Sequence, residues 1–148
     1  MNAASNALFL DTNILIYANV VQAPFHAQAL HAVQTYEQQG IELWLSRQVL
    51  REYLATLSRP QTFGMVIPAA ILSQQVQLFE KRFQIANDVA ETTAHLLTLI
   101  QQVTVGGKQM HDANIVATMQ SYGIRQLLTN NPTDFNRFAH LITVIPLM

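Results

Sequence analysis

Two of the nine acidic side chains sit where a carboxylate needs a reason. Asp11 interrupts "LFLDTNILIY": three apolar residues run into it, Thr12 and Asn13 follow, and the apolar run resumes. Asp112 lies three, four and seven residues before Ile115, Val116 and Met119. In a helix it therefore shares their inward face. An inward carboxylate is costly unless it is hydrogen-bonded, paired or metal-bound. Plainer readings stand beside these. Asp11 is a good helix N-cap, although Thr12 and Asn13 cap equally well and would leave it free. Asp112 fits the first turn of a helix, where the dipole favours an acid. Glu52 falls off the apolar stripe of its own helix and reads as solvated. Asp134, after the proline of "NNPTDF", is a candidate cap for a short helix beginning at Phe135. Glu37, Glu42, Glu80, Asp88 and Glu91 read as surface or first-turn acids.

Other catalytic chemistries find little support. His111 abuts Asp112 and invites a proton-shuttle role, but a structural or solvent-facing ring is the simpler reading. The remaining histidines lack metal-ligand spacing, and cysteine is absent, which argues against zinc and against a thiol nucleophile. There is no GxGxxG, P-loop or GxSxG stretch.

The acids must be positioned by the elements around them. Leu8–Leu10 reads as a buried strand followed by a helix over "TNILIYA". A helix opens at Pro24 and runs to about Gln38, where Gly40 ends it. Ile41–Ser46 is a strand with Ser46 as the next N-cap. Val49, Leu50, Tyr53, Leu54 and Leu57 form a helical stripe ending near Pro60. Pro68–Phe83 is helical, "FQIA" a brief strand, and Asp88 starts a helix to about Val103. "VGGK" breaks the pattern. Met110–Tyr122 is a helix stopped by Gly123, Ile124–Thr129 a strand, "NNPTDF" a turn and helix start, and "ITVIP" a last strand. Strands alternating with helices favour a parallel sheet covered on both faces. Ligands of such sheets lie beyond the carboxyl ends of the strands. Asp11 and the "TNNPTD" turn both fall there, facing a crevice rather than the core.

Composition sets the frame. The chain has 148 residues, half of them apolar and 11% charged, which argues for one folded domain over 1–148. No run is long enough to span a membrane, and the N-terminus lacks the form of a secretory signal, so a cytoplasmic protein is expected. A net charge of −1 gives no global attraction to nucleic acid.

Together the pieces resemble the PIN domain, and especially the VapC-type ribonuclease toxins of prokaryotes, over nearly the whole chain. "LDTNILIY" is similar to the family's first motif, "VLREYLATLSRP" to its second, and "HDANIVATMQSYGIRQLLTNNPTDF" to its third and fourth. The last block is the most specific, since it ties a helix, a strand and a turn at fixed spacing. The resemblance implies a three-layer α/β/α sandwich around a parallel sheet of about four or five strands. It implies that Asp11, Glu52 and Asp112 bind Mg²⁺ or Mn²⁺, with Thr12, Asn13, Thr129 and Asn131 in support. Many relatives carry an acid shortly after the Thr of the fourth motif, where this chain has Asn130 and Asn131. Either an amide fills that position or Asp134 reaches in. The implied activity is metal-dependent endoribonuclease cleavage by the toxin of a type II toxin–antitoxin pair. A PIN-like RNA-binding or scaffold module that no longer cleaves is the alternative.

Phosphodiester hydrolysis fits such a cluster: Mg²⁺ takes hard oxygen ligands, and two ions about 4 Å apart can steady the attacking and leaving oxygens. Arg47, Arg51, Arg59 and Lys108 lie near the motif residues in sequence and are candidates for RNA phosphate contacts, with solvated surface charge as the plainer reading. Single-stranded or loop RNA is the favoured substrate. Ile71, Leu72, Val76, Leu78, Phe79 and Phe83 give Pro68–Phe83 more apolar surface than one stripe needs, so a partner chain is expected. Relatives of the toxin type imply a homodimer and an antitoxin that lays an Arg or Lys among the acids.

Overall fold

The structure is a computed structural model that describes residues 6–148 except Gln61. All four residues of β1 (Ala7–Leu10) are buried. A strand buried on both faces must lie inside a covered sheet, and β1 is the middle strand of five. After it come α1 (Thr12–Asn19), α2 (His26–Gln38), β2 (Glu42–Ser46) and α3 (Arg47–Leu57). A short 3-10 turn at Thr62–Gly64 leads to α4 (Ala69–Arg82), β3 (Gln84–Ala86), α5 (Ala90–Gln102) and α6 (Gln109–Tyr122). The chain closes with β4 (Gln126–Thr129), a 3-10 segment (Pro132–Phe138) and β5 (Thr143–Pro146).

The strand order is β3-β2-β1-β4-β5 and every pairing is parallel. The order reverses beside β1. From β1 the chain steps outward to β2 and β3, then crosses back to β4 and β5 on the other side. Right-handed crossovers therefore lay α1–α4 on one face and α5–α6 on the other. This is the three-layer α/β/α sandwich expected from the sequence. Reversal opens a crevice at the carboxyl ends of β1 and β4. Asp11 leaves β1 at that crevice and Thr129 ends β4 there.

The helix boundaries carry several corrections. Thr12 and Asn13 do not cap α1. Asp11 does, its carboxylate accepting from the Thr12 amide at 2.8 Å. Pro24 lies before α2, which starts at His26, because Phe25 takes a left-handed conformation (φ 60°) that no helix interior allows. Asp88 does not start α5, which begins at Ala90; its carboxylate pairs with Arg51 instead. Asp134 caps nothing: the 3-10 segment begins earlier, at Pro132, whose fixed φ suits a first helical position. Ser46 caps α3 as expected, accepting from the Val49 amide at 3.2 Å. Gly123 ends α6 in the left-handed conformation (φ 70°) that glycine adopts without strain.

Candidate active site

Asp11 is almost fully buried and held on every side. Its Oδ1 accepts from the Thr12 amide at 2.8 Å. Its Oδ2 accepts from Asn13 Nδ2 at 3.1 Å and from Thr129 Oγ1 at 2.8 Å. A carboxylate offers about four lone-pair positions; three are filled, and the open one is on Oδ1. The surroundings are locked in turn. Asn13 Oδ1 accepts from the Asn130 amide at 3.1 Å, and Thr129 Oγ1 accepts from the Asn131 amide at 3.0 Å. Asn131 thus contributes its backbone N–H, and its side chain is exposed.

Glu52 does not point to solvent, against the reading of its helical wheel. Its Oε1 accepts from Thr12 Oγ1 at 2.6 Å and its Oε2 from Gln48 Nε2 at 3.1 Å. The wheel places Glu52 off the main stripe of α3, but α1 lies against that flank and supplies the Thr12 hydroxyl. Gln48 is one turn before Glu52 on the same face. It is buried, donates also to the His111 carbonyl at 2.9 Å, and accepts from Asn114 Nδ2 at 2.7 Å. One glutamine therefore ties α3 to the first turn of α6, where Asp112 sits.

Asp112 is half-buried, and among the described residues its carboxylate accepts no hydrogen bond. Burial pushes its pKa up to about 6, helped by the charges of Asp11, Asp134 and Glu52 and opposed by Arg137. Asp11 also rises to about 6, through burial first and the Glu52 charge in part, against the pull of its own hydrogen bonds. The four acids are thus electrostatic neighbours. They are not yet a closed cage: among the described residues no three acidic or histidine side chains stand ready to hold a metal ion. Like charges without a cation between them repel, and the donor set, all hard oxygens with lone pairs to spare, suits Mg²⁺ or Mn²⁺.

The PIN domain family model matches residues 8–141. The chain belongs to the PIN domain family. None of the curated proteins matches it in sequence. Its fold is also that of several solved structures. A toxin–antitoxin complex from Klebsiella pneumoniae is 22% identical with a TM-score of 0.66, over 96% of this chain and 98% of that one. VapBC2 from Rickettsia felis, bound to a promoter DNA fragment, is 21% identical with a TM-score of 0.67, over 95% and 98%. The sarcin–ricin loop cleaving toxin VapC20 of Mycobacterium tuberculosis is 16% identical with a TM-score of 0.67, over 94% and 98%.

In this PIN domain the basic candidates are less uniform than their sequence neighbourhood implies. Arg47 pairs with Glu80 and donates from Nε to Asn87 Oδ1 at 3.1 Å. Arg51 pairs with Asp88 at 3.2 Å, with both side chains largely exposed. Lys108 is exposed at the entry to α6. Arg59 lies beyond the C-terminus of α3, seven residues or about two turns past Glu52. It is the least well placed of the four. His111 is exposed, and only its carbonyl joins the network. Sequence reasoning missed Gln48, Asn114 and Arg137. The i, i+4 spacing of Gln48 and Glu52 was an available signal. Arg137 had none, since its approach to Asp112 depends on how the 3-10 segment folds back.

Proposed function

We propose that this PIN domain, acting as a single unit, is a metal-dependent endoribonuclease and the toxin of a type II toxin–antitoxin pair. The observation that carries the reading is the electrostatic meeting of Asp11, Glu52 and Asp112 at the carboxyl ends of β1 and β4 in a PIN fold. The toxin assignment draws on likeness to VapBC and other toxin–antitoxin structures.

Asp11, Glu52 and Asp112 would hold Mg²⁺ or Mn²⁺. Bound there, the ion supplies charge neutralisation at the phosphate and a water of lowered pKa. The protein's own residues do the rest. Thr129, Asn13 and the Thr12 amide fix the Asp11 carboxylate so that its open Oδ1 position points one way. Thr12 and Gln48 hold Glu52 in the crevice. Asp134, exposed and within Coulombic reach of Asp112, is the candidate for the fourth position; the alternative is Asn131. Arg51 and Lys108 are the most available phosphate contacts: Lys108 is exposed, and an exposed ion pair such as Arg51–Asp88 is weak and yields to a phosphate at little cost. A single-stranded or looped RNA gives the crevice access to an isolated phosphodiester.

The same reading includes a cytoplasmic homodimer and an antitoxin whose Arg or Lys lies among the acids. No helix among the described residues is long and apolar enough to cross a membrane. A non-cleaving RNA-binding module is the second reading. It rests on the amides Asn130 and Asn131 standing at the fourth position, where many relatives carry an acid. Sequencing RNA 5′ ends after induction of the wild type and of Asp11→Asn separates the two. New ends at discrete sites in the wild type alone support the nuclease. Identical end profiles support the binding module. Co-expression with the product of a neighbouring small gene tests the antitoxin, which should suppress those ends.

A further inference from the structure

Gln48 is buried on α3, and both ends of its amide are in use. Its Nε2 donates to Glu52 Oε2 at 3.1 Å and to the His111 carbonyl at 2.9 Å. An ionised carboxylate and a carbonyl only accept, so the NH₂ group must face them. Oε1 then faces the other way and needs a donor. Asn114 supplies it, Nδ2 to Oε1 at 2.7 Å. His111 and Asn114 are three residues apart on α6 and so are neighbours on one helix face. Asp112 lies between them in sequence. From its other side the Glu52 carboxylate is held by Thr12 Oγ1, which donates to Oε1 at 2.6 Å. Each Glu52 oxygen thus accepts one hydrogen bond and keeps one lone-pair position for a cation.

We propose that Asn114 is a positioning residue that acts through Gln48 on Glu52. Its N–H fixes which way the Gln48 amide faces. Without that donor the buried Oε1 is left unpaired, which is costly. Turning the amide to find another donor withdraws the NH₂ group from Glu52 and from the His111 carbonyl together. The Asn114–Gln48 pair therefore sets Glu52 on α3 against the segment of α6 that carries Asp112. This rests on the reading of Glu52 and Asp112 as cation ligands. Ligands to a metal are oriented by groups behind them, and losing such a group typically weakens metal binding or activity about 10- to 100-fold.

The test is a double-mutant cycle on the full-length chain: wild type, Asn114→Ala, Gln48→Ala and the double variant, each titrated with Mn²⁺ by calorimetry. Asn114→Ala should bind Mn²⁺ about 10-fold more weakly than the wild type. In the Gln48→Ala background the same change should cost no further affinity, because the residue through which Asn114 acts is gone. On an RNA substrate at saturating Mn²⁺, kcat of Asn114→Ala should fall with KM within about twofold of the wild type, since substrate contacts are untouched. If Asn114→Ala does not fold, Asn114→Leu, which keeps the side-chain volume, carries the cycle. Wild-type Mn²⁺ affinity in folded Asn114→Ala would overturn the proposal, even with a lowered melting temperature, since that marks a merely structural role. So would losses that multiply in the double variant to about 100-fold, since independent residues behave that way. A wild type that binds Mn²⁺ and cleaves no RNA counts against the nuclease, while the titrations still decide the role of Asn114. A wild type that binds no Mn²⁺ removes the cation reading of Glu52 and the proposal with it.

Discussion

A carboxylate that accepts three hydrogen bonds ordinarily titrates low, yet burial and the neighbouring Glu52 charge push Asp11 up to about 6. The sign of the linked stability follows. A raised pKa means that the folded chain holds the proton more tightly than the unfolded chain. The contribution is fully present below the ordinary value of 3.8 and is lost as pH rises through about 6. Urea unfolding in a chelator should therefore show stability falling between these values. Asp11→Asn should flatten that fall by on the order of 2–3 kcal/mol, and the half-exposed Asp112 should add less. Saturating Mg²⁺ should flatten it in the wild type. A wild-type-minus-mutant difference that does not change with pH would show that burying the Asp11 charge costs nothing. The fourth position is resolved at the same scale. Asp134→Ala lowers turnover if that acid reaches the cation or its water, and Asn131→Ala does so if the amide has the place; both should leave the fold intact, since both side chains are exposed. Unchanged turnover in both would leave a three-acid site. Asp11 was legible as a misplaced carboxylate because it interrupts an apolar run, and Asp112 because Ile115, Val116 and Met119 share its helical face. Glu52 was legible only by resemblance, because what turns it inward is Thr12, forty residues away in sequence.

Gln48 joins two elements that share no strand pairing. It bonds Glu52, the His111 carbonyl and Asn114, so it sets α3 against α6 at the mouth of the crevice. Gln48→Ala should leave several of these groups without partners and cost roughly 2–3 kcal/mol. The check is a lower urea midpoint at unchanged m value; a midpoint within error of the wild type would contradict it. The same variant frees Glu52, so turnover should fall further than the loss of folded protein explains. The elements themselves were largely readable. Each strand is a short apolar run, and Ser46, Gly40 and Gly123 mark boundaries that chemistry alone dictates. The missed boundaries share a cause. Phe25, Asp88 and Asp134 sit at junctions where the outcome depends on a partner or a backbone angle rather than on residue type. Asp88 looks like a cap until Arg51 is found beside it.

Over the whole molecule the parallel order β3-β2-β1-β4-β5 makes the crevice, because reversal beside β1 separates the helices that would otherwise cover Asp11. The apolar surplus of α4 is only partly absorbed by the core. Leu72 and Phe79 are buried, while Ile71 is 43% and Leu78 61% exposed. Leu72 and Val76 line one groove of about 550 Å³ with Leu54, and Leu78 lines another of about 540 Å³ with Asn19 and Gln75. The proposed homodimer should therefore sediment at micromolar concentration near twice the chain mass of 16.6 kDa. Leu78→Glu should shift it toward the single-chain mass if α4 is the contact. A wild-type species at 16.6 kDa would sink the dimer. The central claim is that Asp11, Glu52 and Asp112 work as one cation-dependent cutting site. It is tested most directly by incubating the purified wild type, Asp11→Asn and Glu52→Gln with a loop-containing RNA, in Mg²⁺ or Mn²⁺ and in chelator. Cleavage by the wild type only with divalent ion, falling at least about 100-fold in both variants, is the predicted result. Cleavage that persists in chelator or in Asp11→Asn would contradict it.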